Sequence, residues 1–412
     1  MVYEANISAL GLERQKKLEE ARIVIHGLNL TSEYLLMGLA GLGVKDVTVI
    51  DNVQTPLVLL QNLCDKKTQY RVRQAKNIFE KRYPLNWKFI RGPLLTQYID
   101  NPHMCIDQHE EKNKRFATLA KNVHASYYAT TTKTNKAVVS RQPTTELGSL
   151  LSPLLGAMLS DEIRKRFAPL TANEEIIQKE TTLCPRAFTK RHIHLPKKKT
   201  KQVAIIGAGG IGTYLALQVA FSRYKQIDVY DGDTVEATNL NRQFLYATEV
   251  GQQKAQSLCR IMGRIAPQTT WCAINEYLTE QSIQQLERRH TRVPYDTIFC
   301  ATDSINSRIL ISDFARKYKI EVIEGAVSTH KGVVTQYTPP FTKTIALQRD
   351  LQPQTVTRDA SCARVANPSI IVPNMIVGAM MGYVAQQQLS VQSRILEKPL
   401  FYHCTKKQKL EA

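Results

Sequence analysis

The sequence predicts an α/β fold made of two related halves in tandem. Residues 21–51 and 201–231 share one pattern: a short β-branched run, a turn, an apolar helical stretch and a second β-branched run that ends in an aspartate. A second repeat follows in each half, where SPLLGAMLSDEIRKRF (152–167) and PNMIVGAMMGYVAQQQ (373–388) share a GAM core. Two separate repeats in the same order indicate a duplicated α/β unit.

Each β-α-β pattern is typical of the opening of a Rossmann-type nucleotide-binding fold. We therefore expect one domain at 1–168 and a second at 201–398. The segment 169–200 is basic and broken by prolines, so we expect a linker, either a plain exposed connection or a docking stretch for a partner. Residues 399–412 are expected to form a short tail. The two halves are expected to pair with each other as a monomeric pseudo-dimer.

The 412 residues have an ordinary globular composition, 43% hydrophobic and 22% charged, which excludes a disordered or fibrous protein. No apolar run is long enough for a membrane span, and the N-terminal residues lack the pattern of a secretory signal, so we expect a cytoplasmic protein with no membrane partner. The net charge of +19 suits an acidic protein partner or general solubility. Nucleic acid is a less favoured partner.

The turn in the second half is rich in glycine. Gly207, Gly209, Gly210 and Gly212 follow a β-branched run and open a helix. Glycine is needed there because a Cβ would block the tight turn and hold the backbone away from a phosphate, which the helix N-terminus attracts. Asp231 ends the next strand, where a carboxylate can accept both ribose hydroxyls. This pattern alone fits an NAD-dependent dehydrogenase equally well.

Three later motifs separate the alternatives: DGDTVEATNLNRQ at 231–243, VGQQK at 250–254 and ATDSINSR at 301–308. With them, the chain resembles the ThiF/MoeB and ubiquitin-activating-enzyme superfamily of adenylating enzymes, over 200–390 and more weakly over 3–168. The resemblance makes a dehydrogenase remote. It implies that ATP and Mg²⁺ activate the C-terminus of a ubiquitin-like protein or peptide, with a conjugating enzyme or a sulfur carrier downstream.

The resemblance also implies site residues. Arg242 and Lys254 would face the triphosphate, and Asp303 would hold Mg²⁺ beside the phosphate under attack. Cations are needed because the attack of a carboxylate on a phosphate brings two anions together. The residues implied to contact the nucleotide are Gly207, Gly209, Gly210, Gly212, Asp231, Asp233, Asn239, Arg242, Gln243 and Lys254.

The first half departs from this pattern. Its turn reads GLNLTS at 27–32, and no NLxRQ motif follows Asp51, so we expect no nucleotide there. The family's N-terminal YDRQIRLWGL is matched by YEANISALGL at 3–12, where Ala5 and Ser8 replace two arginines. One of those arginines reaches the partner's ATP in the family. Catalysis is then expected to be slow or partner-dependent, unless Arg14 or a linker arginine substitutes.

Cys362 precedes the last predicted helix, at a position resembling that of the thioester cysteine in single-domain activating enzymes. Arg358 and Arg364 flank it and would favour a catalytic thiolate. The alternative is a small packed residue at a turn. The segment 337–361 resembles the crossover loop that covers a partner's tail. The sequence has eight cysteines and no C-x-x-C pair, so we expect no zinc.

Two further functions stay open. A relative of tRNA threonylcarbamoyladenosine dehydratase would explain the basic charge, but those relatives resemble single-half homodimers. A catalytically weak pseudoenzyme scaffold would explain the missing arginines.

Overall fold

The computed structural model describes most of both halves. The described residues are 3–64, 68, 70–83, 85–93, 102–108, 126–133, 136–140, 152–172, 174, 180–183, 202–220, 222, 224–354, 369–387, 396, 398–403 and 410–411, with backbone only at 126–133, 136–140, 180–183 and 410–411. The predicted thioester residue Cys362, its flanking arginines and most of the linker lie outside these residues.

The first half builds one sheet with helices on it. Its strands are β1 (Arg22–His26), β2 (Asp46–Asp51), β3 (Lys88–Arg91), β4 (Met104–Asp107), β5 (Ser126–Lys133), β6 (Lys136–Ser140) and β7 (Glu180–Leu183). Its helices are α1 (Glu4–Leu10), α2 (Leu12–Glu19), α3 (Leu30–Leu42), α4 (Arg71–Arg82) and α5 (Ser152–Phe167).

The second half repeats this plan. Its strands are β8 (Gln202–Ile206), β9 (Gln226–Tyr230), β10 (Thr270–Ile274), β11 (Thr297–Cys300), β12 (Glu321–Val327), β13 (Lys331–Tyr337), β14 (Leu400–His403) and β15 (Leu410–Glu411). Its helices are α6 (Gly210–Val219), α7 (Lys254–Ile265), α8 (Ile283–Arg292), α9 (Ile305–Tyr318), α10 (Ile345–Arg349) and α11 (Ile371–Gln387). No helix of the described chain is long and apolar enough to cross a membrane.

The two sheets have the same order over seven strands, and the second sheet has an eighth strand, β15. The first runs β3-β2-β1-β4-β5-β6-β7 and the second runs β10-β9-β8-β11-β12-β13-β14-β15. In each sheet the first five strands are parallel and the later ones antiparallel. The predicted α/β class is confirmed. The assignment of the first half as a degenerate adenylation domain stays a prediction.

Two sequence boundaries need correction. Strand β7 lies inside 169–200, the segment expected to be a linker, and pairs with β6. Strand β14 lies inside 399–412, the segment expected to be a tail, and pairs with β13. Each strand is four residues long and flanked by basic residues, so its local pattern is weak, and it forms because an open sheet edge offers backbone partners.

Each repeated GAM helix crosses, at a glycine, the helix that follows the first strand of its half, α3 or α6. A Cβ on Gly156 of α5 would lie 2.5 Å from the carbonyl oxygen of Thr31, and one on Gly378 of α11 would lie 2.9 Å from the backbone nitrogen of Leu215. Helices α5 and α11 also contact each other and so join the two halves. The glycine of each repeat therefore permits a close helix crossing.

We predict that Gly378→Ala destabilises the protein by about 1–3 kcal/mol, because the added methyl would meet backbone atoms of α6 that cannot move aside. Urea unfolding midpoints measure the effect. Gly263→Ala is the matched control, since a Cβ on Gly263 of α7 meets nothing within 4 Å. That substitution should be neutral or stabilising by about 0.5–1 kcal/mol. Equal midpoints for the two variants would contradict the close crossing.

Candidate functional site

The glycine turn between β8 and α6 packs against the turn that follows β11. Gly207 has a φ of 102°, and a Cβ there would lie 2.6 Å from the carbonyl oxygen of Ala301. A Cβ on Gly212 would meet the carbonyl oxygen of Gly207. At Gly209 the nearest atom would be Nε2 of Gln243, at 3.8 Å. The fold therefore requires Gly207 and Gly212, whereas Gly209 faces open space.

The start of α6 is open to an anion. Gly209 is its N-cap residue and supplies no side-chain hydrogen bond, so the first N–H groups keep their capacity to bind a ligand. In the first half Asn29 caps α3 instead. Its Oδ1 accepts a bond from the backbone nitrogen of Ser32 at 3.0 Å, and Ser32 Oγ accepts one from the nitrogen of Asn29 at 3.3 Å. Side chains therefore already occupy this end of α3.

Asp231 braces the glycine turn. Its Oδ2 accepts a bond from the nitrogen of Ala208 at 2.7 Å, and its Oδ1 accepts one from the nitrogen of Asp233 at 2.9 Å. Burial raises the pKa of Asp231, and Lys254 opposes that shift. Each carboxylate oxygen keeps a second lone pair, so the predicted bond to a ribose is compatible with this geometry and stays a prediction.

Asp51 occupies the same position in the first half. Its Oδ2 accepts a bond from the nitrogen of Leu28, and its Oδ1 accepts one from the nitrogen of Val53, both at 2.7 Å. Unlike Asp231, it also forms a buried ion pair with Arg71, 3.0 Å from Nε to Oδ2. The brace is thus shared, but a guanidinium group lies beside the carboxylate of the first half.

A cavity of about 1110 Å³ opens at the carboxyl edge of the second sheet. The predicted residues that line it are Gly207, Gly209, Gly210, Asp231, Asp233, Asn239, Arg242, Gln243, Lys254 and Asp303. Gly212 does not line it, because it packs behind the turn on Gly207. The structure thus brings together side chains from four separate turns.

Lys254 is paired within the cavity wall. Its Nζ lies 2.7 Å from Oδ2 of Asp233, and the hydroxyl of Tyr277 donates to Oδ1 of the same carboxylate. Burial opposes ionisation of Asp233, but the bonds from Lys254 and Tyr277 outweigh it and lower its pKa. Lys254 was expected to face a triphosphate, and here it faces a carboxylate. Sequence reasoning missed Tyr277, whose ring packs on Gly232.

Arg242 is held by neutral oxygen atoms. Its Nη1 donates to the carbonyl oxygen of Thr238 at 3.0 Å and to Oδ1 of Asn241 at 2.9 Å. Burial lowers the pKa of Arg242, and the charge of Asp303 opposes the shift. The guanidinium group lines the cavity, and no carboxylate of the described residues forms an ion pair with it. This arrangement leaves its charge available to an anion.

Two amide residues of the same motif differ in what they do. Oδ1 of Asn239 accepts a bond from the nitrogen of Glu236 at 3.2 Å, so this side chain shapes the loop. Oε1 of Gln243 is buried and has no hydrogen-bond partner among the described residues. Because a buried unpaired oxygen is costly, Gln243 is a candidate to accept a bond from a ligand.

The loop that carries Asp303 is tied to the sheet. Asp303 is exposed at the cavity rim. Arg308 donates from Nε and Nη2 to the carbonyl oxygen of Thr302, at 3.0 and 2.8 Å. Arg308 and Arg349 both pair with the buried carboxylate of Glu324, at 3.3 and 2.9 Å. Arg308 lies in the ATDSINSR motif, but the motif did not indicate what the residue does. The structure shows that Arg308 holds this loop.

The residues present fit a nucleoside triphosphate. The turn has no Cβ where Gly209 faces the cavity, the start of α6 is uncapped, and Arg242 and Lys254 supply positive charge. No group of three or more His, Cys, Asp or Glu side chains that could hold a metal occurs in the described part of the chain. Mg²⁺ commonly binds through one carboxylate and phosphate oxygens, and Asp303 suits that mode.

The first half adds no described residue to the lining of the cavity. Ala5 is buried and its carbonyl accepts a bond from the nitrogen of Ser369, while Ser8 is exposed. Arg14 donates to the carbonyl oxygen of Leu10 in its own segment, at 3.2 Å. Arg14 therefore does not replace the missing arginines in this structure, and the linker arginines lie outside the described residues.

Comparison with known proteins gives a family match over residues 191–408, to the family described as the ThiF family. The chain is 30% identical over 223 residues to the Nedd8-activating enzyme E1 catalytic subunit of Drosophila melanogaster, covering 50% of this chain and 47% of that protein. It is 37% identical over 120 residues to the adenylyltransferase and sulfurtransferase uba4 of Emericella nidulans, covering 29% of this chain and 24% of that protein.

Among solved structures, a crystal structure of E. coli MccB with MccA-N7isoASN matches with a TM-score of 0.42 and 18% identity, covering 52% of this chain and 64% of that chain. The chain spans less than half the length of the curated relatives described above.

We predict that Gly212→Ala and Gly209→Ala separate the two uses of glycine in the turn. Gly212→Ala should destabilise the protein by about 1–3 kcal/mol, because its methyl would meet the carbonyl oxygen of Gly207. Gly209→Ala should change stability by less than about 0.5 kcal/mol, because its methyl would enter the cavity. Thermal unfolding without ligand measures both, and a reversed order would contradict the geometry.

Proposed function

The chain belongs to the ThiF family, and on that premise we propose that its second half adenylates the C-terminal carboxylate of a ubiquitin-like protein or peptide. One observation carries the proposal. Arg242, Lys254 and Asp303 meet in one cavity beside the uncapped start of α6. The names of the relatives, an E1 catalytic subunit and an adenylyltransferase, support the same chemistry.

In this reaction an oxygen of the carboxylate bonds to the α-phosphorus of ATP, and the bond to the leaving pyrophosphate breaks. Negative charge grows on the phosphate oxygens as the two anions meet. The guanidinium of Arg242 and the N–H groups at the start of α6 are placed to stabilise that charge. Mg²⁺, held at Asp303, would supply further positive charge when bound.

Lys254 can contact a phosphate either with N–H donors that its bond to Asp233 does not use or by exchanging partners. Its Nζ is bonded to Asp233 at 2.7 Å, and Tyr277 donates to the same carboxylate. When Lys254 turns away, Asp233 loses one hydrogen-bond donor but keeps the bond from Tyr277. The remaining bond reduces the free-energy cost of the exchange. We infer that Tyr277 makes this exchange easier.

We infer that the segment after α10 borders the incoming C-terminus. Asn306 and Gln354 exchange two bonds: Nδ2 of Asn306 donates to the carbonyl oxygen of Gln354 at 2.8 Å, and Oδ1 of Asn306 accepts from the nitrogen of Gln354 at 2.9 Å. Both residues and Pro353 line the cavity. An extended tail that enters here would pass beside this segment on its way to the nucleotide.

We predict that Arg242→Ala lowers substrate-dependent pyrophosphate release by about 10²–10³-fold, because one positive charge at the developing phosphate charge is lost. The measurement is ATP–pyrophosphate exchange with ubiquitin-like proteins that end in Gly-Gly, preceded by calorimetry of ATP·Mg²⁺ binding. Arg14→Ala removes an equal charge from a residue that does not line the cavity and is the control. Its exchange rate should stay within about twofold.

Three results would count against the proposal. If the wild type bound no ATP and released no pyrophosphate, a scaffold function would take its place. An equal loss in Arg14→Ala would mean that the loss in Arg242→Ala does not report a charge removed from the cavity. ATP-dependent change of a tRNA nucleoside without a protein substrate would favour the dehydratase alternative.

The described cysteines are poor candidates for a thioester. Burial raises the pKa of Cys105, Cys259 and Cys300 to about 12, so their thiols stay protonated at neutral pH. None of the cysteines in the described ranges lines the cavity. Of the cysteines outside the described ranges, we propose Cys362 as the acceptor if transfer follows adenylation, because the family resemblance points to its position.

We predict that intact mass spectrometry after addition of ATP and substrate detects a DTT-sensitive adduct on the wild type and none on Cys362→Ala. Pyrophosphate exchange should persist in that variant, because adenylation precedes transfer. Cys272→Ala, at a half-buried cysteine of β10, should keep the adduct. An adduct that survives Cys362→Ala would show that another thiol accepts the substrate.

A further inference from the structure

The first half contacts the part of the second half that carries Arg242. We call residues 239–243 the arginine loop. No described residue of the first half lines the cavity, yet Asn6 of α1 and Tyr83, the residue after α4, each bond to this loop. The position of this loop is therefore one route by which the described part of the first half can affect the site.

The bond from α1 is part of a chain of side-chain amides. Nδ2 of Asn6 donates to the carbonyl oxygen of Gly41 at 2.8 Å, and Oδ1 of Asn6 accepts from Nδ2 of Asn241 at 2.7 Å. Oδ1 of Asn241 in turn accepts from Nη1 of Arg242 at 2.9 Å. Asn6 and Asn241 are both fully buried.

The hydrogen bonds of this series of amides can run in only one direction, from donor to acceptor. The carbonyl of Gly41 can only accept and the guanidinium of Arg242 can only donate. Asn6 must therefore direct its NH₂ group at Gly41 and its oxygen at Asn241. Asn241 must then direct its own oxygen at Arg242, an orientation that its second bond, from Nδ2 to the carbonyl oxygen of Ser369 at 2.9 Å, also favours.

Helix α4 holds the loop from a second point. The hydroxyl of Tyr83, the residue after α4, donates to the carbonyl oxygen of Leu240 at 2.8 Å. Its ring stacks on Phe244 with centroids 5.4 Å apart and an interplanar angle of 5°. The backbone of the loop is thus fixed at Leu240 while the amide chain fixes the side chain of Arg242.

We propose that Asn6 is a positioning residue: through Asn241 it orients the guanidinium of Arg242 toward the phosphates of the nucleotide. The first half then positions a residue of the second-half site, although Ala5 and Ser8 supply no charge to that site. The inference rests on the proposed function, because it assumes that Arg242 binds phosphate. Burying two side-chain amides costs free energy unless their polar atoms are hydrogen-bonded. Here Nδ2 and Oδ1 of both Asn6 and Asn241 are bonded.

The test compares a ligand that has phosphates with one that has none. Asn6→Ala should weaken the binding of ATP·Mg²⁺ about 3–10-fold, the loss expected when one buried hydrogen bond is removed, and should leave adenosine binding within about twofold. Calorimetry measures both affinities. In an Asn241→Ala background, Asn6→Ala should cause no further loss of ATP affinity, because Asn6 acts through Asn241.

Gln15→Ala is the matched control. Nε2 of Gln15 donates to the carbonyl oxygen of Leu42 at 3.1 Å, next to the carbonyl that Asn6 binds, and Gln15 is also buried. No bond joins it to the arginine loop among the described residues. An equal loss of ATP and adenosine binding in Asn6→Ala, an equal loss in Gln15→Ala, or additive losses in the double variant would each overturn the inference.

A second readout needs no nucleotide. Phenylglyoxal modifies accessible guanidinium groups, and peptide mass spectrometry measures its rate at Arg242, with the exposed Arg316 as internal reference. Asn6→Ala should raise the rate at Arg242 several-fold, and Gln15→Ala should not. An unchanged rate overturns the inference. If the wild type binds no ATP, the proposed function fails, and this rate alone decides whether Asn6 orients Arg242.

Discussion

The site depends on how the backbone of one residue, Ala208, is held on both sides. The nitrogen of Ala208 donates to Asp231 at 2.7 Å, and its carbonyl oxygen accepts from the buried hydroxyl of Tyr246 at 2.7 Å. Gly207, just before it, packs on the carbonyl of Ala301. These contacts fix the direction in which α6 begins, and therefore the direction of its free N–H groups. No sequence motif indicated this contact of Tyr246, because the two bonded residues are 38 positions apart in the sequence.

The two halves share a fold but differ at the position of this site. Asp51 braces the turn after β1 as Asp231 braces the turn after β8. What differs is the set of groups that would face a ligand. Asn29 caps the helix and Arg71 pairs with the carboxylate, so internal partners satisfy groups that are open in the second half. Packing constrains the sheet and the close helix crossing, and neither requires a ligand.

Local sequence patterns predicted the repeat and the glycine turn, because each lies within one strand-turn-helix unit. The resemblance to a family, and not the local pattern, implied the other residues that line the cavity. The sequence patterns could not predict the pairing of Lys254 with Asp233 and Tyr277, or the bonds from Arg308 to Thr302 and Glu324. The Tyr277 and Glu324 contacts join different turns or strands. The glycines of the turn have two different roles that their spacing alone does not distinguish. Gly212 packs on the backbone of the turn, whereas Gly209 faces the cavity.

The contrast between the two arginines near Asp303 explains their different roles. Arg308 shares the carboxylate of Glu324 with Arg349 and donates two bonds to the carbonyl oxygen of Thr302, so it serves to hold a loop. Arg242 is bonded to a carbonyl and an amide oxygen, which orient a cation without neutralising it. Burial of such a cation costs free energy that an arriving anion recovers. The neutral chain from Asn6 therefore gives Arg242 a fixed direction and leaves its attraction for phosphate intact, which a carboxylate in place of Asn241 would weaken.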